Sequence, residues 1–502
     1  MQSRPTQVGF QPRPLRSRRS HSLDRPVGVG LVLLIVCVGL LLAHAAWGTI
    51  PEHRGELYLI FSLITILGTS AIFLAILARW DGQFPLFEVG SVCVLVTTIY
   101  FSVPLINYLA AGMEFTIVSD SRLFSLQPTP YQISCLAWRS VFYLLSFSVV
   151  YLCIRGRCAV AKSDLSRPTN ARVVILVCVF FSLKATLFSV ERIYGVSFYP
   201  SYENLRAGIG LVTQLPYHMQ QLMHNIQGIY FISQLALVML VFVNWNREPV
   251  RVLGILWLLA EISWAALKQG ARTEAVLLLM SAALLYHRFI RRLRFIHIAT
   301  GAMVLLIAIS GLGVIRDVQD GFAAIDSAGV SLFSVSNEFQ ALFGTTYDLY
   351  DRAGRGEEIS IPWSLYASEF LMLIPSQLLP FEKVDPALWY LDLLGLRDTQ
   401  VGFMFGVLSQ AVLGLDWAEL VLRGAALGLV LGTLHRWYVR HAKNYAVTLF
   451  YLCVCLWIYY TVRATTFYFV YFIVYRFLPF WMLIYLSETV LSGAVGIRRR
   501  RG

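Results

Sequence analysis

Long apolar runs, broken by short polar and mostly basic segments, set the rhythm of this chain. Runs long enough to cross roughly 30 Å of hydrocarbon occur near 28–48, 57–78, 88–111, 132–154, 172–193, 226–244, 250–267, 271–287, 296–315, 418–437, 444–463 and 465–487. Each predicts a spanning helix, because a helix satisfies its own backbone polar groups in lipid. The expected fold is an all-α polytopic membrane protein with about 12 transmembrane helices. It divides into a basic tail (1–26), a nine-helix region (27–315) with an outer loop at 194–225, a large loop (316–417), a three-helix region (418–490) and a second basic tail (491–502).

Composition agrees with a lipid-facing surface. Residues of the set AVILMFWYC make up 57% of 502 positions and DEKR only 14%, too little charge for a water-exposed surface. The formal charge of +12 invites a nucleic-acid reading until the basic residues are placed. With the N-terminus inside, twenty-five of the 41 Lys and Arg residues fall in cytoplasmic segments, the bias that orients membrane helices. Both termini are then cytoplasmic, nucleic acid is not an expected partner, and membrane lipid is. The basic stretch before the first run has no convincing small-residue cleavage site, so that run is expected to stay as a helix. The cysteines show no CxxC pair and fall in or beside apolar runs, which predicts helix-packing residues without disulfide or metal roles.

The 316–417 segment is too long for a connector. It carries the apolar pieces Leu365 to Leu379 and Phe403 to Leu415, too short to cross and expected as interfacial or re-entrant helices. Positive charge recurs on the outer side, where the topology rule leaves it sparse: Arg206, Lys268, Arg272, Arg316, Arg352, Arg355, Lys383, Arg397 and Arg463. Guanidinium groups bind phosphate oxygens bidentately and stay charged, so a group of them on one cavity would hold a diphosphate without metal. Arg272 opens the eighth run, where free N–H groups also favour an anion, and Lys268 lies across the tight Gly270 bend. The competing explanation for each is an interface anchor reaching to lipid headgroups.

Lys184, Glu261, Arg139 and Arg476 lie within runs, where an unpaired charge costs roughly 2.5–3.5 kcal/mol near the helix centre. They are expected to face the bundle interior, as ligand contacts or as structural pairs. An inverting transfer would want a carboxylate as general base, yet none among Glu203, Asp317, Asp348, Asp351, Glu357, Glu358, Glu369, Glu382, Asp385 and Asp398 stands out by spacing. His218 and His224 fall in the 194–225 loop and could orient or deprotonate an acceptor hydroxyl; a surface role is the plainer alternative. Trp363, Tyr366, Trp389 and Tyr390 could stack on sugars or sit in the interfacial belt. No HExxH, GxSxG or Walker pattern occurs.

This organisation resembles the O-antigen polymerase family, the Wzy-type oligosaccharide repeat-unit polymerases of bacterial inner membranes. The likeness rests on cytoplasmic termini, about twelve spans and large third and fifth outer loops. Locally it rests on Gly270-Ala271-Arg272, Val314-Ile315-Arg316-Asp317, Ile374-Pro375 to Lys383, and Gly402-Phe403 leading to Gly414. The resemblance implies a GT-C-like bundle working without cofactor or metal. It would transfer a growing glycan from undecaprenyl diphosphate to a lipid-linked repeat unit at the periplasmic face. Arg272, Arg316, Arg206 and His218 would be catalytic, and Lys268, Arg352, Arg355, Lys383, Arg397 and Arg463 substrate-binding. A chain-length regulator protein is a further implied partner. An O-antigen ligase would share this bundle and donor. A lipid-linked oligosaccharide flippase would differ in class, but transporters usually have paired halves, and the nine-and-three division around one long loop disfavours it.

Overall fold

A computed structural model describes residues 54–82, 84–111, 115–118, 123–126, 128–157, 165, 168–196, 215–267, 272–294, 297, 300–301, 337–357, 359, 363–374, 378–381, 383–395 and 405–500. Within these residues the chain is a helical, multi-pass membrane protein. Seven of its helices are long and apolar enough to cross a membrane.

The bundle is built from α1 (Gly55–Asp81), α2 (Val89–Ala111), α3 (Pro130–Arg155), α4 (Asn170–Tyr194), α5 (Tyr217–Val243), α6 (Glu248–Leu267) and α7 (Arg272–Phe289). A hairpin of β1 (Phe115–Val118) and β2 (Leu123–Leu126), paired antiparallel from Phe115 opposite Leu126, links α2 to α3. Four short or amphipathic helices follow: α8 (Asn337–Gly354), α9 (Trp363–Phe370), α10 (Pro386–Leu393) and α11 (Val407–Leu413). The chain then re-enters the bundle as α12 (Trp417–His441), α13 (Tyr445–Trp457), α14 (Tyr460–Arg463), α15 (Phe469–Phe472), a π-helical turn at Ile473–Phe477, and α16 (Leu478–Arg500).

The seven candidate spans coincide with expected runs at 57–78, 88–111, 132–154, 172–193, 226–244, 418–437 and 465–487. The runs at 250–267 and 271–287 form α6 and α7, of 20 and 18 residues. The run at 444–463 starts as the 13-residue α13, a shorter apolar helix. The run at 28–48 and most of 296–315 lie outside the described residues. Helix starts follow local chemistry more than the apolar window. Thr129 and Gln132 form a reciprocal capping box around Pro130, which satisfies free N–H groups at the start of α3. α5 begins at Tyr217, after Pro216, well ahead of the run at 226. His218 and His224 are therefore helical residues rather than loop residues, because polar opening turns are invisible to an apolar window.

Among the described residues, α3 and α12 share the most extensive helix–helix contact. Gly424, Gly428 and Gly432 recur every fourth residue and press on the α3 backbone; a Cβ at Gly428 would lie 2.7 Å from the Phe147 carbonyl oxygen. Small residues let helix axes approach where lipid supplies no hydrophobic drive. This G-x-x-x-G-x-x-x-G signal is present in the sequence, though apolar periodicity alone passes over it. One core runs through the bundle from Leu59 to Ile484. α1 contributes Leu59, Ile66, Phe73 and Leu77, a helical stripe facing its neighbours.

The bundle has two chemically distinct ends. At one, Arg155 at the close of α3 meets Asp81 and Glu88 at the α1–α2 turn, and His435 of α12 comes within 4.0 Å of Glu88. At the other, Arg139 near the start of α3 meets Asp416. From Asp416 to His435 is about 28 Å at 1.5 Å per helical residue, close to the hydrocarbon thickness.

Candidate functional site

The Asp416 end carries α8 to α11, and a buried ionic contact from Glu369 of α9 ties this group to the bundle. Arg423 lies one and a half turns into α12. Its Nη1 and Nη2 donate to the two oxygens of Glu369 at 2.7 and 2.8 Å, and its Nε donates to Glu419 at 2.6 Å. Its Nη1 also reaches the Thr466 hydroxyl at 3.1 Å. Gln410 of α11 donates to Glu369 at 3.0 Å, and the Tyr366 hydroxyl donates to Glu419 at 3.3 Å. The Glu369 side chain is only 1% exposed, so its charge needs that bidentate guanidinium. Burial and the adjacent Glu419 carboxylate push the Tyr366 hydroxyl up to about 12, which keeps it a donor.

Gly414 is explained by the same cluster. A Cβ there would collide with the Glu419 carboxylate and the Tyr366 hydroxyl. Two residues on, Asp416 is the sole non-glycine residue with positive φ among those described, at φ 54° and ψ −129°. Such backbone persists only where its surroundings hold it. Here Arg139 does so, with Nε and Nη2 donating at 2.5 and 2.7 Å to the two carboxylate oxygens. The Arg139 guanidinium is sandwiched by ring contacts with Trp138 and Tyr350, at 4.9 and 5.0 Å. The large segment is thus pinned exactly where it becomes α12.

The remaining short helices pack beneath this junction. α11 is buried from Val407 to Ala411, as a non-spanning piece at membrane depth must be. Its Ser409 shares a 2.8 Å hydrogen bond with Thr346 of α8. Asp348 of α8 accepts from the Tyr390 hydroxyl at 2.8 Å and from Arg352 at 3.0 Å. Tyr390 is fully buried, which removes it from the residues free to stack on a sugar; Trp363 is 76% exposed and keeps that capacity.

The sequence-predicted cations separate into three groups. Arg206, Arg316, Lys268 and Arg397 lie outside the described residues, and of Arg272 only the backbone is described, as the first residue of α7. Arg352 is shared by Asp348 and Glu357, and Arg355 pairs with Asp351. Lys383 donates to the Met372 and Ile374 carbonyls, and partial burial pushes its ammonium below the usual lysine value. Arg463 lies over the Tyr460 ring at 5.9 Å, three residues before the Thr466 that meets Arg423. α7 ends at the Asp81 end, where His287 and Asp81 line one cavity. Its first residue, Arg272, is about 22 Å away along the helix and therefore at the Asp416 end. His218, exposed in the first turn of α5, is at that end too: α5 finishes at the other, where Trp245 just beyond it meets the Tyr286 ring.

The intramembrane charges are mostly structural pairs. Arg139 has Asp416, and Lys184 has Glu261 at 2.5 Å, with Tyr230 and Gln234 donating to the second Glu261 oxygen. Lys184 departs from the expectation of an inward position, since its side chain is 44% exposed; the long stem lets a helix on the bundle's flank reach an inner carboxylate. Arg476 sits in the π-helical turn over the Phe472 ring at 4.5 Å and against Gly228. Among the described cysteines, all free, Cys93, Cys135, Cys453 and Cys455 are buried, while Cys153 and Cys178 face outward instead of packing between helices.

Glu369, Glu419, Arg423 and Asp416 are the residues that spacing did not single out. Glu419 and Arg423 stand four apart on one helix, a pairing sequence can suggest. Their partner Glu369 is fifty-four positions from Arg423, and nothing local announces it. Among the described residues no group of three or more His, Cys, Asp or Glu side chains is placed to hold a metal ion. Comparisons with protein-family models, curated proteins and solved structures find no match for this chain.

Proposed function

We propose that this protein polymerises polyprenyl-diphosphate-linked oligosaccharide repeat units, with the Asp416 end as the periplasmic face and twelve spans in all. The supporting observation is that Arg272, Arg463 and His218 share the bundle end onto which α8 to α11 are locked. A cap fixed to one end lets two lipid-borne substrates meet at a defined depth, which supplies the orientation such a reaction needs.

In the transfer, a sugar hydroxyl of the incoming unit attacks the anomeric carbon of the growing glycan. The bond from that carbon to the diphosphate oxygen breaks, and undecaprenyl diphosphate leaves with the bonding electrons. The hydroxyl proton passes to a carboxylate or imidazole at this end, with His218 an exposed imidazole in the first turn of α5. Cations aimed at the departing diphosphate lower the barrier because charge develops there. Arg272, Arg316 and Arg206 take that role, with Lys268, Arg397, Lys383 and Arg463 as binding partners. Arg352 and Arg355 are withdrawn from this set, since their carboxylate partners already balance them. Glu369 and Arg423 act as positioning residues that hold the cap.

Purified protein in lipid discs, given a synthetic diphosphate-linked repeat unit, tests the reading. Arg272→Ala should reduce elongation by about a hundredfold or more, the scale of losing a main transition-state contact, while insertion and unfolding stay normal. Arg498→Ala, in the terminal basic tail, should change nothing. Undiminished elongation by Arg272→Ala and Arg316→Ala would sink the anion-site mechanism. A deletion strain that caps core with single repeats supports the polymerase; loss of all capped glycan points to a ligase, and internal accumulation of lipid-linked units to a flippase.

A further inference from the structure

The opposite end of the bundle holds a polar cavity of about 400 Å³ with no part in the transfer described above. Its lining includes His287, Arg288, Arg291, Arg292, Arg294 and His435. The last turn of α7 and the chain that follows thus deliver four guanidinium groups within seven residues. The facing wall supplies two carboxylates, Asp81 and Glu88.

Those carboxylates are already taken. Arg155, with a fully buried side chain, donates from Nη2 to both Asp81 oxygens at 2.6 and 2.7 Å, and from Nε and Nη2 to the Glu88 oxygens at 3.1 and 3.0 Å. The Tyr151 hydroxyl adds a 2.8 Å bond to Glu88. No described carboxylate forms an ion pair with Arg291, Arg292 or Arg294, and all three are exposed. The cavity therefore keeps a cationic wall over two acids that Arg155 already holds. A topology signal alone asks only for basic residues on the inner side; it does not require four of them around one hollow.

We infer that this cavity binds a phosphate-bearing group, through guanidinium forks that match phosphate oxygens. A second hollow beside it favours a lipid as the bearer. This one, of about 240 Å³, is apolar and opens between α5, α6 and α7, lined by Val238, Phe242, Trp245, Leu258, Tyr286 and Leu293 among others. Tyr286 and Leu293 line the apolar hollow while His287, Arg288, Arg292 and Arg294 line the polar one. One stretch of chain thus offers an apolar groove and an anion site as direct neighbours. An anionic phospholipid has that combination of parts; inorganic phosphate or pyrophosphate shares only the second.

The test uses the full chain purified from membranes containing phosphatidylglycerol. Native mass spectrometry counts the retained phosphatidylglycerol, and calorimetry on delipidated protein measures binding of inorganic pyrophosphate. The variant Arg291→Ala/Arg292→Ala/Arg294→Ala removes three exposed side chains and leaves the buried Arg155 cluster intact, so it should fold. It should weaken the bound probe by about tenfold or more, as loss of charge-assisted bonds implies. The matched control Arg436→Ala/Arg440→Ala/Lys443→Ala removes the same charge from the same bundle end outside the cavity, and should retain binding. Selective loss of phosphatidylglycerol assigns a lipid headgroup; selective loss of pyrophosphate without lipid retention assigns a soluble phosphate. Equal binding by wild type and the triple variant, equal loss in the control, or no binding of either probe by wild type would overturn the inference.

Discussion

The two ends of the bundle use arginine differently. At the Asp416 end, four of the described guanidinium groups are matched or outnumbered by carboxylates: Arg139 by Asp416, Arg423 by Glu369 and Glu419, Arg352 by Asp348 and Glu357, Arg355 by Asp351. At the Asp81 end Arg172 pairs with Glu488 and Arg251 with Glu248, but around the cavity Arg155 takes up both carboxylates and leaves Arg291, Arg292 and Arg294 on the wall. The first pattern includes a device for attachment, since Arg139–Asp416 and Arg423–Glu369 each tie one element to another, while Arg352–Asp348 lies within α8 and Arg355–Asp351 at its end. The second leaves cations free for a mobile anion. Counting basic residues per face would rank the ends by charge, yet it is the partner of each guanidinium that separates holding a cap from binding a ligand.

The contrast is most sharply broken at Arg423. Glu369→Ala should destabilise the protein by about 1.5–3 kcal/mol, because Arg423 keeps Glu419 but loses its buried bidentate hydrogen bonds to Glu369. Replacing all three groups, as Arg423→Met with Glu369→Leu and Glu419→Gln, leaves no buried charge unmatched and should recover much of that loss. Thermal unfolding in detergent reads both, and equal loss in the single and triple variants would mean that the cluster does not fasten the cap. Gly414→Ala comes next: the new methyl meets the Tyr366 hydroxyl and the Glu419 carboxylate and should cost about 1–3 kcal/mol, with partial rescue by Tyr366→Phe. Arg355→Ala should leave the unfolding temperature unchanged, because that pair is solvent-screened and its arginine side chain is 61% exposed. A marked drop there would show that even the outermost pairs of the cap hold structure.

Much of the fold can be read from the chain itself. Seven apolar runs become helices fit to cross a membrane, and the segment at 316–417 yields short helices, as its broken apolar pieces predict. The start of α5 escapes notice because His218, Gln220 and His224 interrupt the apolar signal while forming good helix. The site is less legible. Sequence offers Arg272 and Arg463 as candidates, gives Glu369 no distinction among the acids and reads Asp348 as a solvated loop charge; packing buries Glu369 against Arg423 and Asp348 against Tyr390.

By itself the sequence determined which segments prefer lipid, through transfer energies that each residue carries wherever it sits. It also held the glycine repeat of α12, a local pattern with a local cause. What tertiary structure alone decided is which charge neutralises which. An ion pair depends on distance and burial, and the chain brings Arg139 to Asp416 across 277 positions and Arg155 to Glu88 across 67. No composition or spacing encodes such meetings, because they exist only once helices far apart in sequence have been packed side by side.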